Sequence, residues 1–143
     1  MSEPDLAALK PVTPFVKAPE EGPPYLEGSK CMACDEVQVG ERTACPRCGA
    51  RDRMKSIRLA DTGRLYNYTV VYRNFPGVEV PFVSAIVDLD GGGTLKGNLI
   101  EVEPDPAKLS FDMPVKLVFR DAGRADKAGN RYLAYFFTPA EVP

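Results

Sequence analysis

The chain has 143 residues, a length that fits one ordinary domain or two very small ones. With 44% hydrophobic and 27% charged residues, its composition is that of a globular protein and not of a disordered one. Its 18 basic and 20 acidic side chains leave a net charge of -2, which argues against a protein that coats itself in nucleic acid. The absence of histidine excludes histidine-containing catalytic triads, HExxH zinc hydrolases and any histidine general base.

The sequence has no features of a membrane or secreted protein. No run approaches the roughly 20 apolar residues that cross a bilayer, and the first residues, MSEPDLAALKPVTPF, lack the charged and then apolar order of a secretory signal. We therefore expect a cytoplasmic protein that does not bind membranes. Because thiols stay reduced in that compartment, the four cysteines are interpreted as metal ligands or catalytic groups before disulfides.

Residues 1–24 are predicted to form a proline-rich arm. Proline this frequent blocks both helices and sheet ladders. Residues 5–10 can still form a short helical turn, because most of the prolines follow them. Two interpretations stay open, namely a disordered tail and an arm that lies along a partner. Six of the 14 prolines lie here: Pro4, Pro11, Pro14, Pro19, Pro23 and Pro24.

Residues 25–58 contain every cysteine and little apolar core material. Cys31-x2-Cys34 and Cys45-x2-Cys48 are separated by ten residues. Each CxxC turn places two thiolates on one side of a tight loop, and two facing turns make a tetrahedral four-sulfur site. Protein fills all four positions, so the spacing predicts one structural zinc, with iron a lesser candidate and no open position for hydrolysis. Two disulfides or a redox-active CxxC are the alternatives. Residues 37–42 are expected to form a short two-stranded ribbon.

Residues 59–143 have the composition of a β domain. Five runs rich in Val, Ile, Tyr, Phe and Thr, bounded by turn residues, predict strands at 64–73, 81–88, 93–102, 114–120 and 131–138. The last two strands are joined by a predicted loop over residues 121–130. Five strands with short links, the first two long enough to curl around a core, predict a small closed barrel in a mostly β chain.

Basic residues cluster after the second cysteine pair, opposed only by Asp52. The cluster is either a phosphate site, for nucleic acid or for the nucleotide end of coenzyme A, or a solvated surface. Its members are Arg47, Arg51, Arg53, Lys55 and Arg58.

Aromatic residues mark the first predicted barrel strand and the loop after it. Tyr66, Tyr68 and Tyr72 are expected on one face of the strand, either as a stacking platform for single-stranded nucleic acid or as barrel core or interface. Phe75-Pro76-Gly77 forms an apolar tip that a soluble monomer has little reason to expose. We therefore take this tip as the candidate contact with a partner.

With ribbon and barrel in this order, residues 25–139 resemble the zinc-ribbon OB-fold proteins known as domain of unknown function 35. The resemblance rests on YLEGSKCMAC and PRCGA around the cysteines, then on DTGRLYNYTVVY, the Pro-Gly loop and PFVSAIVDLDGG. The resemblance is completed by LKGNLIEV, the Met-Pro-Val lead into VKLVF, and FTP. It implies a rubredoxin-like zinc ribbon followed by a five-stranded OB-fold barrel, with Cys31, Cys34, Cys45 and Cys48 as the zinc ligands. Members often begin with a helical segment, whereas this chain has its proline-rich arm.

The family resemblance also implies a function. Its members are usually small partners of thiolase-superfamily enzymes, including acetyl transferases, archaeal acetoacetyl-CoA thiolase, sterol side-chain aldolases and benzoylsuccinyl-CoA thiolase. The large partner carries the catalytic groups, and the small protein completes or bridges the acyl-CoA site. We therefore expect this chain to be a non-catalytic accessory subunit of a hetero-oligomer that is inactive alone. Its lack of histidine, and of any cysteine outside the predicted zinc site, agrees with a non-catalytic role.

A stand-alone nucleic-acid-binding module is the alternative function, because ribbons and OB barrels both occur in such proteins. Residues 61–143 carry nine basic and eleven acidic side chains, so the barrel is slightly acidic where a strand-binding groove should be basic. We therefore expect no nucleic-acid partner. A free acyl-CoA carrier that acts without an enzyme is a third hypothesis.

Overall fold

A computed structural model describes residues 9–140 of the chain. These residues form ten β-strands and one 3-10 turn, Pro106–Lys108, and contain no helix long and apolar enough to cross a membrane. Most of the predicted helical turn over residues 5–10 lies outside the described residues, and Lys10 at its end belongs to a strand. The chain is therefore mostly β, as its composition predicts.

The strands have the following bounds. They are β1 Lys10–Pro11, β2 Val16–Lys17, β3 Tyr25–Cys31, β4 Val37–Val39, β5 Met54–Arg58, β6 Thr62–Val71, β7 Phe82–Leu89, β8 Thr94–Leu99, β9 Pro114–Ala125 and β10 Arg131–Pro139.

Contacts divide the described residues into two compact units. The first consists of residues up to Leu59 together with Phe119–Tyr135, and the second of Ala60–Val118 together with the residues from Phe136 onward. The first unit thus contains the end of β9 and the start of β10 together with the cysteine-containing segment. The domains inferred from composition, 1–24, 25–58 and 59–143, stay a prediction.

Strand β3 is the centre of a four-stranded sheet in the first unit. It pairs antiparallel with β2, β4 and β5, with Gly28 opposite both Val39 and Ile57. The predicted two-stranded ribbon within residues 37–42 is therefore wrong, because that segment supplies only β4 and its partner is β3. The reason is that β3 ends at Cys31 and the first cysteine turn folds β4 straight back onto it.

The arm residues from Lys10 onward are held against their own chain. Strand β1 pairs in parallel with β10, and β2 pairs antiparallel with β3 so that Val16, which is buried, lies opposite Leu26. The Phe15 ring contacts the Tyr135 ring at 5.7 Å between centroids. Backbone pairing at two points and one buried side chain fix this segment, so its described part is not a disordered tail, and contact of the arm with a partner stays a prediction.

The second unit contains the body of a closed five-stranded barrel. Its strands follow the order β6, β7, β8, β10 and β9, and β9 pairs back onto β6. Strand β6 pairs antiparallel with β7 and β9, and β7 pairs antiparallel with β8, whereas β8 and β10 run parallel with Leu99 opposite Phe137. This is the strand order of an OB-fold, so the predicted barrel is confirmed.

Alternation along the barrel strands produces the core. On β7 the side chains of Val83, Ala85, Val87 and Leu89 are buried, while the residues between them are half-buried or exposed. Each strand thus contributes one apolar face to the interior. Buried residues from the other strands include Leu65, Leu99, Val115 and Phe137.

Two predicted strand ends differ from the structure by three or more residues. Strand β8 stops at Leu99 and not at residue 102, because Glu101 adopts a left-handed φ of 61° that breaks the extended run. Strand β9 continues to Ala125, through half of the predicted loop over residues 121–130. Gly123 has a φ of 82°, which glycine adopts without strain, and its amide donates to Asp121 Oδ1 at 2.8 Å. The predicted start of a loop at residue 121 is therefore wrong, because the chain only kinks there within β9.

Candidate metal centre and surrounding surfaces

The first cysteine pair occupies a tight turn at the end of β3. The Cys31 amide donates to the Glu36 carbonyl at 2.8 Å, and the Cys31 carbonyl accepts from the Asp35 amide at 2.9 Å. The Ala33 amide also donates toward Cys31 Sγ at 3.4 Å. These bonds close the turn from both ends and direct backbone N–H groups toward sulfur, an arrangement that favours a thiolate.

The second cysteine pair repeats the same turn. The Cys45 amide donates to the Ala50 carbonyl and the Gly49 amide donates to the Cys45 carbonyl, both at 2.9 Å. The residue after the second cysteine adopts a left-handed conformation in both turns, with φ of 65° at Asp35 and 79° at Gly49. The two turns are therefore equivalent in hydrogen bonding and in backbone shape.

The two turns bring all four sulfur atoms into one cluster. The Sγ atoms of Cys31 and Cys48 are 3.7 Å apart, those of Cys34 and Cys45 are 3.6 Å apart, and all four lie within 4.8 Å of one another. A tetrahedral site with metal–sulfur bonds of about 2.3 Å requires sulfur atoms about 3.8 Å apart. The cluster therefore has the dimensions of a four-thiolate metal site, and all four cysteines are free thiols, not disulfides.

The thiols of Cys45 and Cys34 differ in proton affinity because backbone amides prevail at Cys45, whereas desolvation and the neighbouring cysteines prevail at Cys34. Backbone N–H groups of Cys48 and Arg47 donate to Cys45 and, against partial desolvation, lower the pKa of Cys45 to about 7. The Glu36 amide lowers the pKa of Cys34, but desolvation and the neighbouring cysteines outweigh it and raise that pKa to about 12. A bound cation removes this conflict, since it compensates the charge of all four sulfur atoms.

The cluster is closed on one side and open on the other. Cys31 and Cys45 are buried, Cys34 is half-buried and Cys48 is exposed. The four clustered cysteines are those of the two CxxC pairs, and the described part of the chain brings no other three cysteine, histidine or acidic groups together as candidate metal ligands. The site can therefore stabilise this segment without offering a substrate position.

Two members of the predicted basic cluster are engaged by neighbouring side chains. Arg47 Nη1 lies 3.1 Å from Glu36 Oε2, and the Arg58 guanidinium lies 5.0 Å from the centre of the Tyr25 ring. The remaining three are exposed and form no ion pair with any other described residue. They are Arg51, Arg53 and Lys55.

The row of tyrosines predicted on β6 is broken by a β-bulge. Leu65 pairs with Val87 but Asn67 pairs with Ile86, so Tyr66 is the extra residue. Tyr66 and Tyr72 are exposed, whereas Tyr68 is half-buried and lies opposite buried Ala85. The expectation of one face was wrong because the extra residue shifts the alternation by one.

The apolar tip after β6 is strongly exposed. Phe75 is 82% exposed, and the Val78 amide donates back to the Phe75 carbonyl at 3.2 Å. Gly77 has a φ of 90°, and Pro76 precedes it, as in a type II turn. A short turn with fixed backbone thus presents the Phe75 ring to solvent.

Phe111 is an exposed aromatic residue that the sequence patterns did not single out. It is 67% exposed, and its ring contacts Tyr68 at 5.6 Å between centroids. It lies outside every strand, between the 3-10 turn and β9, so neither strand alternation nor a turn motif marks it.

Comparison with known proteins gives matches along most of the chain. Residues 56–120 match the family described as "ChsH2, C-terminal OB-fold domain". A "DUF35 domain-containing scaffold protein" of Methanothermobacter thermautotrophicus is 29% identical over 118 residues, 80% of this chain and 86% of that protein. A protein of the same description from Pyrococcus furiosus is 30% identical over 116 residues, 80% of this chain and 82% of that one.

Two further matches are parts of named enzymes. "Benzoylsuccinyl-CoA thiolase subunit BbsA" of Thauera aromatica is 26% identical over 88 residues, 61% of this chain and 59% of that protein. The solved structure "Ltp2-ChsH2(DUF35) aldolase" superposes with a TM-score of 0.64 and 31% identity, covering 82% of this chain and 86% of the matched one. The structural match extends beyond the barrel that the family match covers.

Proposed function

This chain belongs to the DUF35 family, and from that premise we propose that it is a non-catalytic accessory subunit of a thiolase-type complex acting on an acyl-coenzyme A. The observation that carries the proposal is the match to the Ltp2-ChsH2(DUF35) aldolase over most of both chains. The similarity to a benzoylsuccinyl-CoA thiolase subunit supports the acyl-CoA substrate class. The proposed complex is a cytoplasmic hetero-oligomer in which this chain completes or bridges the acyl-CoA site of its large partner.

The chain's own thiols support a non-catalytic role. Thiolytic cleavage of a carbon–carbon bond needs a free thiolate and a base. All four cysteines of the sequence are gathered in one cluster, and the sequence has no histidine. The large partner must therefore supply the reacting groups, and we expect no thiolase, transferase or hydrolase activity from this chain alone.

We propose that the four-sulfur cluster holds one structural zinc. The sulfur spacing fits tetrahedral coordination, and four thiolates are a typical ligand set for zinc. Metal analysis of protein purified under reducing conditions is expected to give one zinc per chain. A metal-free chain, two disulfides, or one iron in place of zinc would each contradict this assignment.

We propose that the tip Phe75-Pro76-Gly77 contacts the large partner. The Phe75 ring is exposed on a turn whose backbone is fixed, so burying it in a complex costs little conformational entropy. A buried aromatic anchor typically contributes about 2 kcal/mol or more to an interface. Truncating this one ring should therefore weaken the complex measurably.

The basic cluster is the proposed contact for the coenzyme A phosphates. Arg51, Arg53 and Lys55 are exposed and form no ion pair with described residues, so they can bind phosphate without breaking an existing contact. Arg47 and Arg58 belong to the same proposed set but must first leave Glu36 and Tyr25.

Reconstitution with a thiolase-type large subunit tests the function. Mixed at micromolar concentration, the two chains should elute together from size-exclusion chromatography and turn over a 3-oxoacyl-CoA or related substrate faster than the large chain alone. If the large chain alone is fully active and no complex forms, the accessory-subunit proposal is wrong.

Point variants of the same complex test the two contacts. Phe75→Ala should lower the affinity for the large subunit at least about tenfold, whereas the matched control Phe111→Ala, which removes another exposed ring of the barrel unit, should not. Arg51→Ala with Arg53→Ala should raise the KM for acyl-CoA while leaving complex formation intact. If Phe75→Ala binds like the wild type, the chosen contact is wrong although the complex exists.

A further inference from the structure

A pocket of about 240 Å³ opens in the barrel unit, between the end of the loop before β7 and the segment that follows β8. Of its nine lining residues, seven are apolar, and Val83 and Leu99 among them also belong to the barrel core. The only charged residues in the lining are Glu79 and Glu101. The pocket is thus an apolar depression with carboxylates and no basic group.

The size and charge of the pocket argue against a coenzyme A site. Pockets that enclose small-molecule ligands usually measure about 300–1,000 Å³, and this one is smaller. The phosphates of coenzyme A are anionic, so Glu79 and Glu101 would repel them. A volume of this size suits one or two side chains that protrude from another surface.

The charge around the pocket limits what can fill it. Residues 100–107 carry three carboxylates and no basic side chain. The two ends of the chain outside the described residues, 1–8 and 141–143, contain the acidic residues Glu3, Asp5 and Glu141 and no lysine or arginine. Charge complementarity therefore disfavours both ends of this chain and favours a basic partner surface.

We infer that this pocket is a second docking site for the large protein partner, which inserts an apolar side chain flanked by lysine or arginine. The inference rests on the proposed function and deepens it, because it states the chemistry of the partner surface. The apolar side chain leaves water as it contacts Val83 and Leu99. An adjacent cation pairs with Glu79, which sets the orientation of the contact.

The decisive measurement is the affinity of this chain for the thiolase-type large subunit by titration calorimetry at two salt concentrations. Glu79→Lys should lower the affinity at least about tenfold, because the new charge repels the partner's cation. Filling the pocket with Val102→Trp should also lower the affinity without changing charge. The wild-type affinity should fall at higher salt, and the charge-reversed variant should lose this dependence.

The control applies the same change of net charge elsewhere. Glu41→Lys reverses one exposed carboxylate that does not line the pocket, and it should change the affinity less than about twofold. All variants must keep the metal content and thermal midpoint of the wild type. A photo-cross-linker at position 102 should react with a partner peptide that contains an apolar residue next to lysine or arginine.

The outcomes separate this inference from the proposed function. If the wild type forms a complex and both pocket variants bind equally well, the docking site is wrong and the accessory role stands. Cross-linking to a second copy of the chain, or to residues 1–8 or 141–143 of the same chain, also overturns the docking site. If the wild type forms no complex with a thiolase-type subunit, the proposed function fails and this inference fails with it.

Discussion

The residue after each CxxC pair decides the shape of its turn. Asp35 and Gly49 occupy equivalent positions with left-handed φ angles of 65° and 79°. For a residue with a Cβ atom this conformation costs roughly 1–2 kcal/mol, and glycine avoids the cost. The first turn therefore accepts a strain that the second turn avoids.

Replacing Gly49 with valine should weaken metal binding. An added Cβ meets nothing within 4 Å, so any effect comes from the backbone and not from a clash. A β-branched residue in the left-handed region should cost about 1–2 kcal/mol, which lowers zinc affinity on the order of tenfold. Asparagine tolerates that region, so Gly49→Asn is the matched control. Competition with a chromophoric chelator measures both variants, and equal affinities would contradict the argument.

At this scale the sequence predicts the clustering of the four cysteines well and the backbone conformation of their neighbours less well. The spacing of Cys31, Cys34, Cys45 and Cys48 predicts one four-sulfur cluster, because few arrangements of two CxxC turns exist. The left-handed backbone at Asp35 was not predicted, since aspartate does not mark such a position as clearly as glycine does. The sequence does contain one indication of this conformation, because Asp35 directly follows the first CxxC pair just as Gly49 follows the second.

The hairpin of β9 and β10 contains a carboxylate that organises its loop. Asp126 Oδ1 accepts from the amides of Ala128 and Asn130, and Oδ2 accepts from Asn130 Nδ2 and from the Tyr132 hydroxyl. The four distances lie between 2.7 and 3.0 Å. A loop of lysine, alanine and glycine thus acquires a fixed shape from one side chain, which strand and turn patterns do not reveal.

The hairpin loop should lose order at low pH. Hydrogen bonds from Asn130 and Tyr132 lower the pKa of Asp126 from 3.8 to about 2. Because the folded pKa lies below the ordinary value, the stabilisation is complete above about pH 4 and is lost as the pH falls toward 2. Amide exchange of residues 126–132, followed by NMR between pH 5 and pH 2, should show protection falling in that window.

An asparagine variant provides the control for this pH dependence. Asp126→Asn cannot titrate, so its loop should be equally dynamic at pH 5 and at pH 3, apart from the contribution of Asp121. Arg131 donates to Asp121 and lowers that pKa too, so a smaller dependence should remain. A wild-type loop whose protection is constant down to pH 2 would contradict the assignment of Asp126 as the organising group.

Element by element, regular alternation was easier to predict than its interruptions. The five barrel strands follow from runs of β-branched and aromatic residues, and the structure places a strand at each one. The bulge at Tyr66 and the kink at Gly123 were missed, since each inserts or redirects a single residue without changing composition. The exposed face of β6 was therefore assigned incorrectly beyond the bulge.

At the scale of the whole molecule, the cysteine-containing segment and the barrel unit are stabilised by different means. The barrel unit has a continuous apolar core that includes Leu65, Val87 and Phe137. In the first unit the residues from 32 to 53 contribute only Cys45 to the buried set. A segment with so little apolar burial needs another stabilising interaction, and the four-sulfur cluster is the candidate.

If the cluster holds the proposed metal, removing this metal should unfold the cysteine-containing segment and spare the barrel strands. With a strong chelator and a reductant, amides of residues 31–53 should lose protection from hydrogen exchange within minutes, while those of β6, β7 and β8 stay protected. Cys45→Ser should give the same pattern without chelator. If amides of the barrel strands exchange as fast as those of the cysteine turns, the barrel core is not stable without the metal.

The charge of the whole chain bears on the alternative function of nucleic-acid binding. OB barrels that bind single strands combine a basic groove with exposed aromatic rings. Here residues 61–143 carry nine basic and eleven acidic side chains, and the bulge at Tyr66 removes Tyr68 from the exposed face. The basic residues Arg51, Arg53 and Lys55 are too few to offset this, because each phosphate contact adds only a modest, salt-dependent gain.

We therefore expect weak binding of single-stranded DNA or RNA. An anisotropy titration at about 150 mM salt should give a Kd in the micromolar range or weaker, typical of non-specific contact with phosphates. Arg51→Ala with Arg53→Ala should abolish even that residual binding, whereas Tyr66→Ala should leave it unchanged, because stacking contributes nothing when no groove positions the strand. Nanomolar affinity, or a large loss on removing Tyr66, would show that the exposed tyrosine and its neighbours form a stacking surface and would favour the nucleic-acid module over the accessory subunit.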